Sequence, residues 1–126
     1  MNIKTVFEVD PMPAPRLTHQ GRFSERAKRY YKYCDDLKLI AASLKFSVPD
    51  RVDVTFFIPI PSGWDRIRKI RHKMTPCNTR KMWFDLDNLV KGFFDALCAD
   101  DSSVYELRAR KFWDDGGRIE VFQIKS

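Results

Sequence analysis

Three observations predict an α+β fold in which helices pack on a mixed or mostly antiparallel sheet. Segments with strand-like alternation and segments with helical period follow one another as strand, helix, strand, basic loop, helix, strand, strand. The chain has 126 residues, 44% of them hydrophobic and 13% aromatic, which is ample for one core and short for two, so residues 1–126 are expected to form a single domain. No run of 18 apolar residues occurs, so no membrane span is expected.

The elements follow in order. Residues 3–9 alternate enough for a first strand, and Pro11, Pro13 and Pro15 then force an extended loop ending near Gly21. Between residues 25 and 46, Ala27, Tyr30, Tyr31, Cys34, Leu37, Ala41 and Leu44 recur with helical period. Lys28, Arg29, Lys32, Lys38 and Lys45 fall off that stripe, and only the first basic turn is expected to meet phosphate. Residues 52–59 form a second strand, bounded by Pro49 and by Pro59, Pro61 and Gly63. A basic helix over 64–74 has Ile67 and Ile70 as its apolar residues and stops before Pro76 and Asn78; nothing evident continues the core from it, so the whole segment 61–84 is expected to stay mobile until its polyanionic ligand binds. Leu89, Val90, Phe93, Phe94 and Leu97 give an apolar stripe and a helix over 86–97. Residues 104–113 and 118–124 are strands, and Asp114-Asp115-Gly116-Gly117 between them reads as a hairpin turn.

Cys34, Cys77 and Cys98 are odd in number and lack paired spacing, so neither a disulfide framework nor a zinc motif is indicated. The N-terminal sequence MNIKTVFEVD has no apolar stretch of signal-peptide length, and a cytoplasmic location is expected. The formal net charge is +6, and its distribution matters more than its sum. From residue 66 to 84 the chain carries Arg66, Arg68, Lys69, Arg71, Lys73, Arg80 and Lys81 and no acid. Asp85, Asp87, Asp95, Asp100 and Asp101 then crowd into the next stretch, with Lys91 among them. Carboxylates set this densely repel one another unless a cation or proton neutralises them, and hard divalent cations take oxygen ligands. A cationic segment beside an acidic one suits a protein that holds a polyanion with the first and acts on it through a metal at the second.

Asp87, Lys91 and Asp95 are four apart and, at about 100° per residue, lie well away from the apolar stripe of their helix, on a face suited to lining a cleft. A purely structural account makes Asp85 and Asp87 helix caps and pairs Lys91 with Asp87 and Asp95 at i,i+4 spacing. Asn88 and Asp95 are poorer helix formers than a merely solvated face would favour. His19 and His72 are too isolated to propose as ligands, and Trp83 and Phe84 suit either base stacking or an apolar anchor ahead of the helix.

The string DLDNLVKGFFDAL, followed by DDSSV and then by GGRIEV, resembles the RusA family of Holliday-junction resolvases, small homodimeric Mg²⁺-dependent endonucleases that cut four-way DNA junctions. The strong part of the resemblance covers about residues 85–121, with weaker agreement to the Pro-rich loop, the first strand and the long first helix. It implies catalytic acids at Asp85, Asp87 and Asp101 and an essential lysine at Lys91. Only Cys98 and Ala99 separate DAL from the acidic pair, a shorter spacer than is usual in the family, so either Asp100 or Asp101 completes the metal set. Met82, Trp83 and Phe84 stand before Asp85, where a lysine and proline are common in the family.

The expected activity is phosphodiester hydrolysis by water activated on one or two Mg²⁺ ions, with Mn²⁺ a substitute, held by Asp85, Asp87, Asp101 and Asp100. Lys91 would stabilise charge on the scissile phosphate, while Arg66, Arg68, Lys69, Arg71, Lys73, Arg80 and Lys81 bind DNA. Resolution needs two nicks, so a homodimer is expected. The alternatives are a structural protein that grips branched DNA without cutting it, and a nuclease acting on flaps or other branched structures.

Overall fold

A computed structural model describes residues 3–15, 24–78, 85–98 and 101–125. Strand β1 (Lys4–Phe7), helix α1 (Glu25–Leu44), strand β2 (Arg51–Pro59), helices α2 (Arg66–His72) and α3 (Leu86–Leu97), a 3₁₀ turn (Asp101–Ser103), and strands β3 (Glu106–Asp114) and β4 (Arg118–Gln123) follow in that order. The strands form one mixed sheet in the order β1-β4-β2-β3, in which β2 is parallel to β3 and antiparallel to β4, and β4 is antiparallel to β1. The α+β expectation therefore holds. Parallel neighbours cannot be joined by a tight turn, and the link from β2 to β3 runs through α2 and α3.

The centre of the sheet goes to the most apolar strand. Val52, Val54, Phe56 and Ile58 of β2 point to one face and are at most 1% exposed. Ile119 and Val121 of β4 sit beside Phe56 and Val54 on that face. Phe93 of α3 meets Phe56 and Phe7 edge-on, at ring separations of 6.4 and 6.0 Å, and Phe46 just beyond α1 closes on Phe7 at 5.3 Å. These edge-to-face pairs lock α3 on the sheet. On the opposite face Thr55 and Phe57 are also buried, Phe57 under the Arg118 guanidinium at 3.7 Å and beside Phe112.

Three sequence expectations are corrected. The turn at 114–117 is not a hairpin, because β3 and β4 lie on either side of β2 and the connection passes over the end of that strand. Neither Gly116 nor Gly117 has a positive φ, which the tight hairpin turns require. Gly117 serves close approach instead, since a β-carbon there would fall 2.8 Å from the Asp10 Cα. The connection is closed by Arg118, which donates to Asp114 and Glu120, and by Lys73, which reaches Asp115 at 2.8 Å.

The second correction is on α1, where Tyr33 is buried in place of Tyr31 and Leu44, which are 44% and 53% exposed. A helix crossing another helix and a sheet buries a wider arc than a narrow stripe. The helix also ends two residues earlier than expected, with Lys45 in the left-handed conformation and its N–H bonded to the carbonyls of Ala41 and Ala42.

The third correction concerns the stretch expected to be mobile. As far as Asn78 it is docked against β3. The Met74 N–H donates to the Trp113 carbonyl at 2.7 Å, Trp113 N–H to Thr75 at 2.9 Å, and Cys77 N–H to Lys111 at 3.0 Å. Cys77 is 1% exposed, and Trp64 packs on Trp113 at 5.0 Å. Backbone groups thus extend the sheet edge without a named strand. Sequence periodicity cannot detect such pairing.

Candidate active site

Helix α3 carries the acids at its N-terminal end. Asp85 occupies the cap position with extended backbone, and its carbonyl accepts from Leu89 N–H at 3.0 Å, but its carboxylate makes no capping hydrogen bond. Asp87 accepts from the adjoining Asn88 N–H at 3.0 Å. Asp85, Asp87, Lys91 and Asp95 are all exposed while Leu89, Phe93 and Ala96 are buried, so the polar face lies where the spacing predicts. The structural account of these residues fails in two respects: Asp85 does not cap through its side chain, and among the described residues Lys91 pairs with neither Asp87 nor Asp95.

Two contacts fix this face. Tyr30 of α1 donates its hydroxyl to Asp95 at 3.1 Å, and burial, with Cys34 and Asp95 beside it, raises the phenol above its usual pKa, so it remains a donor. Burial likewise raises the Cys34 thiol. The Pro-rich loop lies along the other flank, with Ala14 N–H donating to the Asn88 carbonyl at 2.9 Å. Gly92 permits this approach, because a β-carbon there would stand 3.0 Å from the Met12 carbonyl oxygen and 3.3 Å from the Tyr30 ring. Sequence reasoning placed Tyr30 in the core stripe and missed its role toward Asp95. The available signal was an aromatic with a polar tip at a buried position, which needs a partner.

The Asp101 backbone opens the 3₁₀ turn, past a helix whose 12 residues span about 18 Å. Asp100 lies outside the described residues, and Asp101 is described by its backbone alone. Among the described residues no third His, Cys, Asp or Glu joins Asp85 and Asp87 in a group able to hold a metal. The two carboxylates nevertheless suit a hard cation, being oxygen donors free of ion pairs with any described lysine or arginine.

The basic segment is a short exposed helix. Asp65 caps α2 by accepting from Arg68 N–H at 2.8 Å, and none of its residues is buried. Arg66, Arg68 and Arg71 are exposed, Lys69 is half-buried, and Arg68 lies 3.9 Å over the Trp64 ring. His72 packs edge-on against Trp64 and its Nδ1 contacts the Arg68 carbonyl, a structural setting. Lys73 is engaged by Asp115. Arg80, Lys81, Trp83, Phe84 and His19 lie outside the described residues.

A sequence profile described as Endodeoxyribonuclease RusA matches residues 7–123, taking in α1, β2, α2, α3, β3 and β4. The chain belongs to the RusA family. It is also similar to the uncharacterized protein YqaN of Bacillus subtilis (strain 168), with 35% identity over 78 residues that cover 58% of this chain and 55% of that protein. The chain thus aligns with about half the length of this relative. The RusA match spans both charged segments, the basic α2 and the acidic face of α3. No helix among the described residues is long and apolar enough to cross a membrane.

Proposed function

We propose that this protein is a Mg²⁺-dependent, structure-selective endodeoxyribonuclease that resolves four-way DNA junctions in the cytoplasm by paired nicks, acting as a homodimer. The observation that carries this reading is the set Asp85, Asp87 and Lys91, without ion pairs among the described residues, on the exposed face of α3 in a RusA-family chain. Charged side chains at i,i+4 spacing ordinarily pair, and two acids and a lysine left unpaired have their charge available to a ligand.

Asp85 and Asp87 would hold the ion, with Asp101 or Asp100 contributing the remaining protein ligand as the family resemblance implies. Mg²⁺, or Mn²⁺ in its place, would lower the pKa of bound water and offset charge on the phosphate. Lys91, one turn along from Asp87, would place its ammonium on a non-bridging or leaving oxygen and hold it as charge develops. Asp95, one turn beyond Lys91, is held by the Tyr30 hydroxyl. Arg66, Arg68, Lys69 and Arg71 would bind the phosphate backbone, and two protomers would supply the two active sites that a two-fold symmetric junction needs.

The test is a synthetic four-way junction incubated with purified Asp87→Asn protein in Mg²⁺. Cleavage is expected to disappear while junction binding is retained or tightens, because the change removes a ligand and a negative charge but preserves volume. Cutting at the wild-type rate would refute the metal assignment. A second reading, a protein that grips branched DNA without cutting, gains support from the short spacer, Cys98 and Ala99, ahead of the acidic pair, since a displaced third ligand would abolish activity. Wild-type protein that binds the junction and leaves it intact in both Mg²⁺ and Mn²⁺ would establish that reading instead.

A further inference from the structure

Helix α2 is amphipathic in the wrong sense for a helix packed on its own protein. Ile67 and Ile70, one turn apart, are 68% and 66% exposed, and what docks the segment is Trp64, on Trp113 at 5.0 Å and His72 at 5.0 Å. A surface helix normally turns its branched aliphatics inward and its cations outward. Here both face solvent, with Arg66 and Arg71 on either side of the isoleucines by helical spacing.

We infer that Ile67 and Ile70 form an apolar wedge that packs against unstacked bases at a DNA branch point, while the flanking arginines hold the adjoining phosphates. This inference rests on the reading of the protein as a branched-DNA nuclease and names the part of the surface that distinguishes a branch from a linear duplex. Apolar side chains inserted at base steps, with arginines alongside, are a general way to stabilise disrupted stacking. A branch point has already lost continuous stacking, so the wedge gains contact there at less expense than within a duplex.

Charge decides between DNA and a second copy of the chain as the occupant. A two-fold contact in which α2 met itself would bring Arg66, Arg68, Lys69 and Arg71 of one protomer against the same four of the other, and within the helix no acid offsets them. Asp65 is committed to the cap and Asp115 to Lys73. Like charges facing one another oppose such a contact, whereas a polyanion with exposed apolar base faces complements both features of α2 at once.

The experiment compares wild-type protein with Ile67→Gln/Ile70→Gln on a four-way junction carrying 2-aminopurine next to the branch and on a linear duplex of the same sequence. Wild-type protein is expected to raise 2-aminopurine fluorescence on the junction. The double variant should lose that rise and lose on the order of tenfold in preference for junction over duplex, the scale expected when stacking on a base is removed. Its salt dependence should be unchanged, because no cation is altered. Retention of both the rise and the preference would overturn the wedge. So would a thermal midpoint lowered by several degrees, which would mean that the chain itself covers these residues, or a change in sedimentation from dimer to monomer, which would assign them to a second copy. Wild-type protein that binds neither DNA would instead remove the underlying nuclease reading, while wild-type cleavage of the junction without any fluorescence change would remove the wedge alone.

Discussion

Lys91 shows how much of the proposed chemistry hangs on single side chains. It is exposed, its i,i+4 neighbours leave it unpaired among the described residues, and the apolar stripe on the same helix fixes its direction. Lys91→Met is expected to bind a junction within about threefold of wild type, since one phosphate contact among many contributes a small share of affinity. Its single-turnover cleavage should fall about 10²- to 10³-fold, as when a preorganised donor to developing charge is removed. Parallel losses in binding and cutting would reduce Lys91 to a contact residue. Asp95, by contrast, is already bonded to Tyr30, which separates a positioned carboxylate from those left open for a ligand.

At the scale of elements, the proposed roles of α2 and α3 are separate. The α2 cations sit on a short helix anchored through Trp64 and the β3 edge, and they carry no group able to ligate a cation such as Mg²⁺. Neutralising Arg66, Arg68, Lys69 and Arg71 together with Gln should lower the slope of log affinity against log salt by about three to four units, because each duplex phosphate contact contributes about 0.9. Single-turnover cleavage at saturating protein should persist. A binding titration over several salt concentrations, paired with that cleavage assay, measures both. An unaltered slope would mean that α2 faces away from DNA, and loss of cutting with binding kept would place α2 in the active site.

At the scale of the molecule, the β3 to β4 connection joins the sheet to α2. Asp114 is 8% exposed, and although burial raises its pKa, hydrogen bonds from Arg118 and the Asp115 N–H, with the nearby positive charge, hold it below the usual carboxylate value. A carboxylate with a depressed folded pKa gives stability that is fully present above the unfolded value near 3.8 and is lost as pH falls through the lower folded value. Asp114→Asn should therefore cost about 1–3 kcal/mol near neutral pH, from urea unfolding, by leaving Arg118 short of a charged partner. The gap between variant and wild type should narrow below about pH 4. A gap that is constant down to pH 2 would show that the carboxylate's charge contributes nothing.

Local chemistry made much of the protein readable from its residues. The span of α3, 86–97, and its division into a buried stripe and an exposed Asp87, Lys91, Asp95 face follow from helical period alone, because a helix's side-chain directions depend only on spacing. The central strand was legible in Val52 to Ile58 for the same reason, alternation and apolar density being local properties. Strand neighbours were not legible. The Asp114 to Gly117 stretch permits a reversal of direction, but whether β4 pairs with β3 or crosses to the far side of β2 depends on which strand most needs two neighbours. Likewise, the Tyr30 to Asp95 bond spans 65 positions, the Pro-rich loop ahead of α1 meets Gly92 of α3, and Met74 to Cys77 pair with an edge that sequence places far away. Such contacts are fixed by where whole elements come to rest, whereas the exposure of Asp85, Asp87 and Lys91 on α3 follows from helical spacing.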